Sequence, residues 1–353
     1  MTQAAPPRTD ALVRRTRPFA APNVWRSVFQ VVSTVALLGG ALFALPWVPW
    51  PGRLLAIPLL AGLIIRAFVL DHDCGHGALF PTRAANDAVG RWLGYVSGIA
   101  YEAWRAEHNW HHAHQGKLAD RGFDHYSSPM TVDEALADPA AAAARIQRVR
   151  WATILGIGPV SLLVQRKHFS GWIYSRTGWR WALDRPRVVR GLVRTGVAHG
   201  GLHAAVILYA GWASWGLVFV PALLLAGAVG SLLFWVQHNH AKSYWAPDET
   251  WSFERVALEG SSYLKLPWPL SWFTAHIGLH HVHHLDVRVP NYRLEEARRA
   301  LPALAAVAPI GWRDVTGSFR RIFWSPRHAR YVSPEELALA DASPDARMTG
   351  AAS

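Results

Sequence analysis

Two pairs of long apolar stretches decide most of what this chain can fold into. The first pair covers residues 28–46 and 53–70, the second 192–211 and 216–237. The 18 residues of 53–70 make roughly 27 Å of helix, about one hydrocarbon thickness. In lipid every backbone N–H and C=O must find its partner inside the segment, so four such stretches imply four transmembrane helices. Each pair is joined by a short, tryptophan-bearing link, Pro46-Trp47-Val48-Pro49-Trp50-Pro51 and the turn holding Trp212 and Trp215. Amphipathic rings of this kind favour the membrane–water boundary. Arg66, one turn before the second stretch ends, is placed to snorkel.

Charge supports the same picture. Only 17% of residues are charged, against about 25% in soluble proteins. The net charge of +12 sits beside the apolar segments, which assigns it to topology and anionic lipid and not to nucleic acid. Four spans put both termini on one side. The arm before the first span, the segment 71–191 and the C-terminal third hold nearly all the Lys and Arg, so by the positive-inside rule these parts are cytoplasmic.

Residues 1–22 are rich in Pro, Arg and Ala and read as a disordered basic arm. Arg14-Arg15 before an apolar run resembles a twin-arginine signal. The run is too long for one, no small-residue cleavage site is obvious, and a second span follows at once. Residues 23–337 form one membrane domain whose cap is built from 71–191 and 238–337, and 338–353 read as a disordered tail. Within the cap, Thr131-Val132-Asp133-Glu134 is a capping box ahead of an Ala-rich helix. Residues 151–164 are apolar but too short to span, which suggests a re-entrant or surface-lying helix.

Histidine carries the chemistry. Thirteen of the eighteen histidines fall in four windows, 72–76, 108–114, 238–240 and 276–284. His72 and His76 stand at i, i+4, on one helical face just past the second span. His108, His111 and His112 stand at i, i+3, i+4, and His280, His283 and His284 repeat that spacing. His238 ends the fourth span, at the same membrane edge as His72 and His76. Nine imidazoles suit two metal ions of coordination five or six, and neutral nitrogen ligands favour iron, copper or zinc over magnesium or calcium. His114, His240, His276 and His281 are neighbours of this pattern and not members of it. His199 and His203 read as hydrogen-bonded residues inside a span, and His125, His168 and His328 as surface or loop residues. Asp71, Asp73, Glu107, Asp120 and Asp286 are candidates for carboxylates that orient the imidazoles. Trp92, Tyr95, Trp104 and Trp272 are candidate walls of an apolar channel. The single cysteine, Cys74, excludes an internal disulfide and a self-contained iron–sulfur cluster. It reads as a small residue packed beside the metal.

The motifs resemble those of a known family. HDCGH at 72–76, HNWHH at 108–112 and HVHH within GLHHVHHL at 278–285 resemble the three histidine boxes of the membrane fatty acid desaturases, and VQH at 236–238 resembles that family's extra ligand position. GKLADRG at 116–122, SSYLKLPWPLSWF at 261–273 and VPNYRL at 289–294 are similar to the bacterial acyl-lipid branch, of delta-12 or omega-6 type. His276 stands where this resemblance leads one to expect Asn. The resemblance implies an all-α integral membrane fold, with four transmembrane helices and a cytoplasmic helical cap carrying a histidine-rich di-iron site. It implies two Fe2+ held by His72, His76, His108, His111, His112, His238, His280, His283 and His284, and O2 as co-substrate. It also implies a cis double bond introduced into a lipid-linked acyl chain, electrons from a ferredoxin-like donor, and residence in a bacterial inner membrane. A lipid hydroxylase or carotenoid oxygenase on the same fold is the nearest alternative, and a membrane metal-binding or transport protein an alternative of another class. A zinc hydrolase lacks its His-Glu-x-x-His signature.

Overall fold

The computed structural model describes residues 11–120, 129–157 and 185–342. The chain is mostly helical, and its helices begin earlier than the composition of the arm suggests. Residues 1–10 lie outside the described residues, but α1 (Ala11–Thr16) and a single 3-10 turn through Phe19 are ordered. Leu12 is buried in a cluster with Leu279, Val282 and Leu301. The Leu12 N–H donates to Glu254 Oε1 at 2.8 Å, and Thr16 Oγ1 donates to Asp286 Oδ2 at 2.6 Å. Two well-placed contacts thus dock a segment whose average composition reads as disordered.

Helix α2 (Val24–Ala44) starts at Asn23, whose side chain accepts from the Arg26 N–H. Helix α3 (Trp50–His76) does not stop where its apolar run stops. Residues 71–76 continue it to Gly77, whose φ of 75° closes the helix in the left-handed region that glycine adopts without a Cβ penalty. Helix α4 (Arg83–Ser97) packs along α3. A Cβ on Gly90 would stand 2.3 Å from the Tyr101 ring and 3.0 Å from Cys74 Cβ, so this close approach requires glycine. Helix α5 (Tyr101–His114) follows.

The capping box forms as expected. Thr131 ends β1 (Met130–Thr131) and caps α6 (Val132–Ala137), with Glu134 reaching back to its N–H. Helix α7 (Pro139–Arg148) is the Ala-rich one. Of the short apolar stretch, residues 153–157 form one π-helical turn, and 158–164 lie outside the described residues.

Three segments are long and apolar enough to cross a membrane, at Val24–Trp47, Trp50–His76 and Pro186–His238. The third contains α8 (Pro186–Ser214), a π-helical stretch Trp215–Phe219, and α9 (Val220–His238). It is not one straight rod. Gly211 has φ 82° and ψ 160°, and the Phe219 ring centroid lies 5.2 Å from that of His203. A straight helix would separate those residues by roughly 24 Å. The chain therefore turns back at Gly211, beside Trp212 and Trp215. One core unites these segments, with Leu60, Leu63 and Ile64 of α3 packed among Val206, Phe219, Ala222 and Leu223.

His199 and His203 are hydrogen-bonded, as expected. Trp215 Nε1 donates to His203 Nδ1 at 2.8 Å, His203 Nε2 lies 3.2 Å from His199 Nε2, and His199 Nδ1 lies 2.9 Å from the Tyr95 carbonyl oxygen. An indole only donates and a carbonyl only accepts, so the protons run one way along this chain and both rings are neutral.

The rest of the described chain is made of short elements: α10 (Phe253–Glu259), α11 (Leu270–Phe273), α12 (His280–Leu285), α13 (Leu294–Ala300), α14 (Pro302–Ala305), α15 (Trp312–Gly317), β2 (Phe323–Ser325), β3 (Arg330–Val332) and α16 (Pro334–Ala342). The three strands form a sheet in the order β1-β2-β3, parallel then antiparallel, with Met130 opposite Phe323 and Trp324 opposite Tyr331. This small sheet corrects the all-α expectation. Strands of two or three residues carry too little alternation to be read from sequence. Helix α16 also runs past residue 338 into the expected tail, and 343–353 lie outside the described residues.

Candidate metal centre

Four elements converge at one end of the α3 and α9 helices. The last two turns of α3 carry His72 and His76, and α5 carries His108, His111 and His112. The last residue of α9 is His238, and α12 carries His280, His283 and His284. The nine side chains meet in one cluster, buried except for the half-buried His76 and His112. His72, His76, His108, His112 and His283 form one group, and His111, His238 and His284 a second, with the nearest ligand atoms in each group within 4.8 Å of one another. His280 joins the second group, its Nε2 lying 3.0 Å from His238 Nε2 and 3.1 Å from His284 Nε2. The groups adjoin, with the His112 and His284 rings stacked at 4.1 Å.

The spacing of these atoms tests whether a metal fits. Nitrogens at adjacent corners of an octahedral site with bonds of about 2.1 Å are separated by about 3.0 Å. The observed Nε2···Nε2 separations are 3.1 Å for His111–His238, 2.9 Å for His108–His112 and 3.1 Å for His112–His283. The Nε2 atoms of His72 and His76 are buried with no hydrogen-bond partner, a costly arrangement for a polar atom that nothing else satisfies. Burial, and then the neighbouring imidazoles, hold His108, His112, His280, His283 and His284 well below the usual imidazole range. They are therefore neutral near pH 7, with lone pairs free for a cation. The donor set fits two nitrogen-ligated transition-metal ions, one per group.

Supporting contacts aim these rings. Asp73 Oδ1 lies 3.2 Å from His72 Nδ1, while Asp73 Oδ2 accepts from the Asn291 N–H at 2.9 Å and from Asn291 Nδ2 at 2.8 Å. Gln115 Nε2 lies 3.0 Å from His238 Nδ1 and donates to the Gly260 carbonyl at 3.2 Å. Sequence reasoning named Asp73 and missed Gln115 and Asn291. Gln115 directly follows α5, four residues after His111, a signal that was available. Asn291 had none, since it reaches Asp73 from 218 residues away.

The other candidates fall elsewhere. Asp286 accepts from Thr16 and pairs with Arg288 at 2.8 Å, and Asp120 lies on the surface near Lys117. Asp71 is fully buried. His114 stacks on Trp110 at 4.0 Å, and His281 faces Tyr263 at 5.6 Å. His240 is buried outside both groups. His276 has φ 58°, a left-handed conformation that Asn and His adopt more readily than most residues, so either residue suits the position. His125 and His168 lie outside the described residues, and His328 bonds Ser325 at 3.0 Å. Cys74 is buried, but its side chain packs among Leu70, Leu79 and Leu93 and against Gly90. Of the channel candidates, Trp104 borders the cluster, stacked on His108 at 4.4 Å. Trp272 covers the Arg66 guanidinium at 4.1 Å. Trp92 is half exposed, and Tyr95 serves through its carbonyl. Arg66 does not snorkel. It is buried, bonding Thr34 at 3.1 Å, Gln30 at 3.2 Å and the Trp272 carbonyl.

Residues 47–315 match the model of the fatty acid desaturase family. A Bacillus subtilis protein described as a fatty acid desaturase is 33% identical over 325 residues, covering 91% of this chain and 90% of its own length. A Synechocystis sn-1 oleoyl-lipid 12-desaturase is 26% identical over 305 residues, covering 80% of this chain and 76% of its own. An Arabidopsis thaliana chloroplastic sn-2 acyl-lipid omega-3 desaturase (ferredoxin) is 36% identical over 101 residues, 27% of this chain and 22% of that protein.

Proposed function

This chain belongs to the fatty acid desaturase family, and we propose that it is a di-iron, O2-dependent desaturase that introduces a cis double bond into a lipid-linked acyl chain. One observation carries the reading: nine buried or half-buried imidazoles in two adjoining groups, with Nε2 atoms about as far apart as two ligands of one ion. His72, His76, His108, His112 and His283 would hold one iron, and His111, His238, His280 and His284 the other. Bound iron supplies the oxidising power to activate O2 against an unactivated C–H bond.

The chain's own residues do the positioning. Asp73 and Gln115 fix ring orientation at His72 and His238. Trp104 and Phe68, packed edge-on at 5.5 Å, give the acyl chain an apolar wall and exclude water beside the ligands. Which carbon is attacked then follows from how far the chain can be drawn past His108 and His72.

The reversal at Gly211 supports four spans at about 28–46, 53–70, 192–211 and 216–237. Together with the basic flanks, it supports a cytoplasmic cap and cytoplasmic termini in a bacterial inner membrane. The lipid desaturases among the relatives favour an acyl-lipid substrate, and the ferredoxin-named relative favours a ferredoxin-like donor. Expression in a host with a ferredoxin system, followed by lipid profiling and iron analysis, tests the reading. We expect new monounsaturated or diunsaturated acyl groups and two irons per chain. Hydroxylated product would transfer the assignment to an oxygenase, and active protein without iron would overturn it.

A further inference from the structure

Taking two hydrogens from an acyl carbon pair yields two electrons and two protons, whereas reducing O2 to two waters consumes four of each. The other two electrons and two protons must enter from outside, a requirement that rests on the function proposed above. The chain has a single cysteine and so cannot hold an iron–sulfur centre of its own. We propose that a basic groove on the cap docks an acidic one-electron iron–sulfur protein, and that Tyr331 and Asn239 connect this groove to His238.

The groove has a volume of about 740 Å³ and is bordered by Arg313, Arg320, Arg321 and Arg330, with Ala241 and Gly317 in its wall. Arg313, Arg320 and Arg321 are exposed and make no ion pair among the described residues. Three acidic residues also border it, but two are engaged. Asp314 accepts from the Gly311 N–H at 2.9 Å, and Glu336 takes Arg330 at 2.7 Å and the Ser333 N–H at 2.9 Å. That leaves three unpaired guanidiniums against Glu335, a surface complementary to a carboxylate-rich partner. Such complementarity sets encounter rate and salt dependence.

Position matters as much as charge. Ala241 is three residues from His238, so their Cα atoms are at most about 11 Å apart by chain reach. Behind the groove, Tyr331 is 1% exposed, its hydroxyl donates to Asn239 Oδ1 at 3.1 Å, and Trp324 meets its ring edge-on at 5.4 Å. Asn239 is bonded directly to His238. One hydrogen bond and one peptide unit therefore separate a residue of the groove wall strand from a proposed iron ligand.

The test uses the iron-loaded full chain in discs of uncharged lipid and a reduced plant-type [2Fe–2S] ferredoxin. Arg320→Glu with Arg321→Glu should weaken ferredoxin binding at least tenfold at low salt. Arg190→Glu, an exposed change on α8, should leave it within twofold. Tyr331→Phe should keep binding and slow ferredoxin oxidation at least fivefold, while oxidation of dithionite stays within twofold of wild type. Equal ferredoxin binding by the double variant overturns the docking site. So does a loss confined to vesicles of anionic lipid, which would make the groove a headgroup contact. Tyr331→Phe slowing both reductants alike overturns the connecting role. A wild-type chain that makes no unsaturated lipid with either reductant would sink the desaturase reading, whereas the binding comparison still decides the groove.

Discussion

At Asp73 one carboxylate serves two tasks, facing the His72 ring with one oxygen and holding Asn291 with the other. Partners of this kind typically change metal affinity 10- to 100-fold when removed. Asp73→Asn should therefore weaken iron retention by about that factor in chelator competition, and Gln115→Leu should do the same through His238. Gly90→Ala forces a Cβ to 2.3 Å from the Tyr101 ring, and overpacking of this sort costs about 1–3 kcal/mol. Thermal unfolding should show the loss, and Gly40→Ala, with open space around its Cβ, should show none. The five imidazoles held below their usual range also predict a pH dependence of the iron-free protein. Above about pH 6.5 they are neutral folded or unfolded and have no effect. Below it only the unfolded chain takes up protons, so stability falls, each group removing up to about 1.4 kcal/mol per pH unit. Melting of the apo-protein at pH 7.5 and pH 5.5 checks the sign, and saturating iron should shift the loss to lower pH.

Among the elements, hydropathy marked where the apolar runs end and not where the helices end. Residues 71–76 extend α3 beyond its apolar run, because a helix keeps its backbone bonds when its side chains turn from apolar to polar. The histidine spacings were legible for the same reason: i, i+3, i+4 puts three rings on one face whatever the surroundings. The docking of α1 was not, since it depends on Leu12 and Thr16 meeting partners more than two hundred residues away. The Trp-bearing turn was readable, but its hinge at Gly211 was not singled out. At φ 82° and ψ 160° a side chain is strained by about 1–3 kcal/mol. Gly211→Ala should lower the yield of folded protein and its melting temperature, and Gly200→Ala, with nothing near its Cβ, should be tolerated.

For the whole molecule, the charge bias and the reversal at Gly211 make one arrangement testable. Val48 lies in the link between the first two spans. A Val48→Cys variant should react with an impermeant maleimide added to intact cells, since the native Cys74 is fully buried. Fluorescent protein fused to either terminus should mature in the cytoplasm. Labelling only after lysis would invert the topology. The small sheet was beyond sequence reading, because it pairs Met130 with Phe323, residues far apart in the chain. Helix α5 gives His108 and His112 to one group and His111 to the other, and α12 likewise divides His283 from His280 and His284. Two cations seated there inherit their separation from the pitch of rigid helices. Loosening loops elsewhere can alter how tightly each is gripped, but it cannot pull the pair apart or press it together without unwinding a turn of backbone.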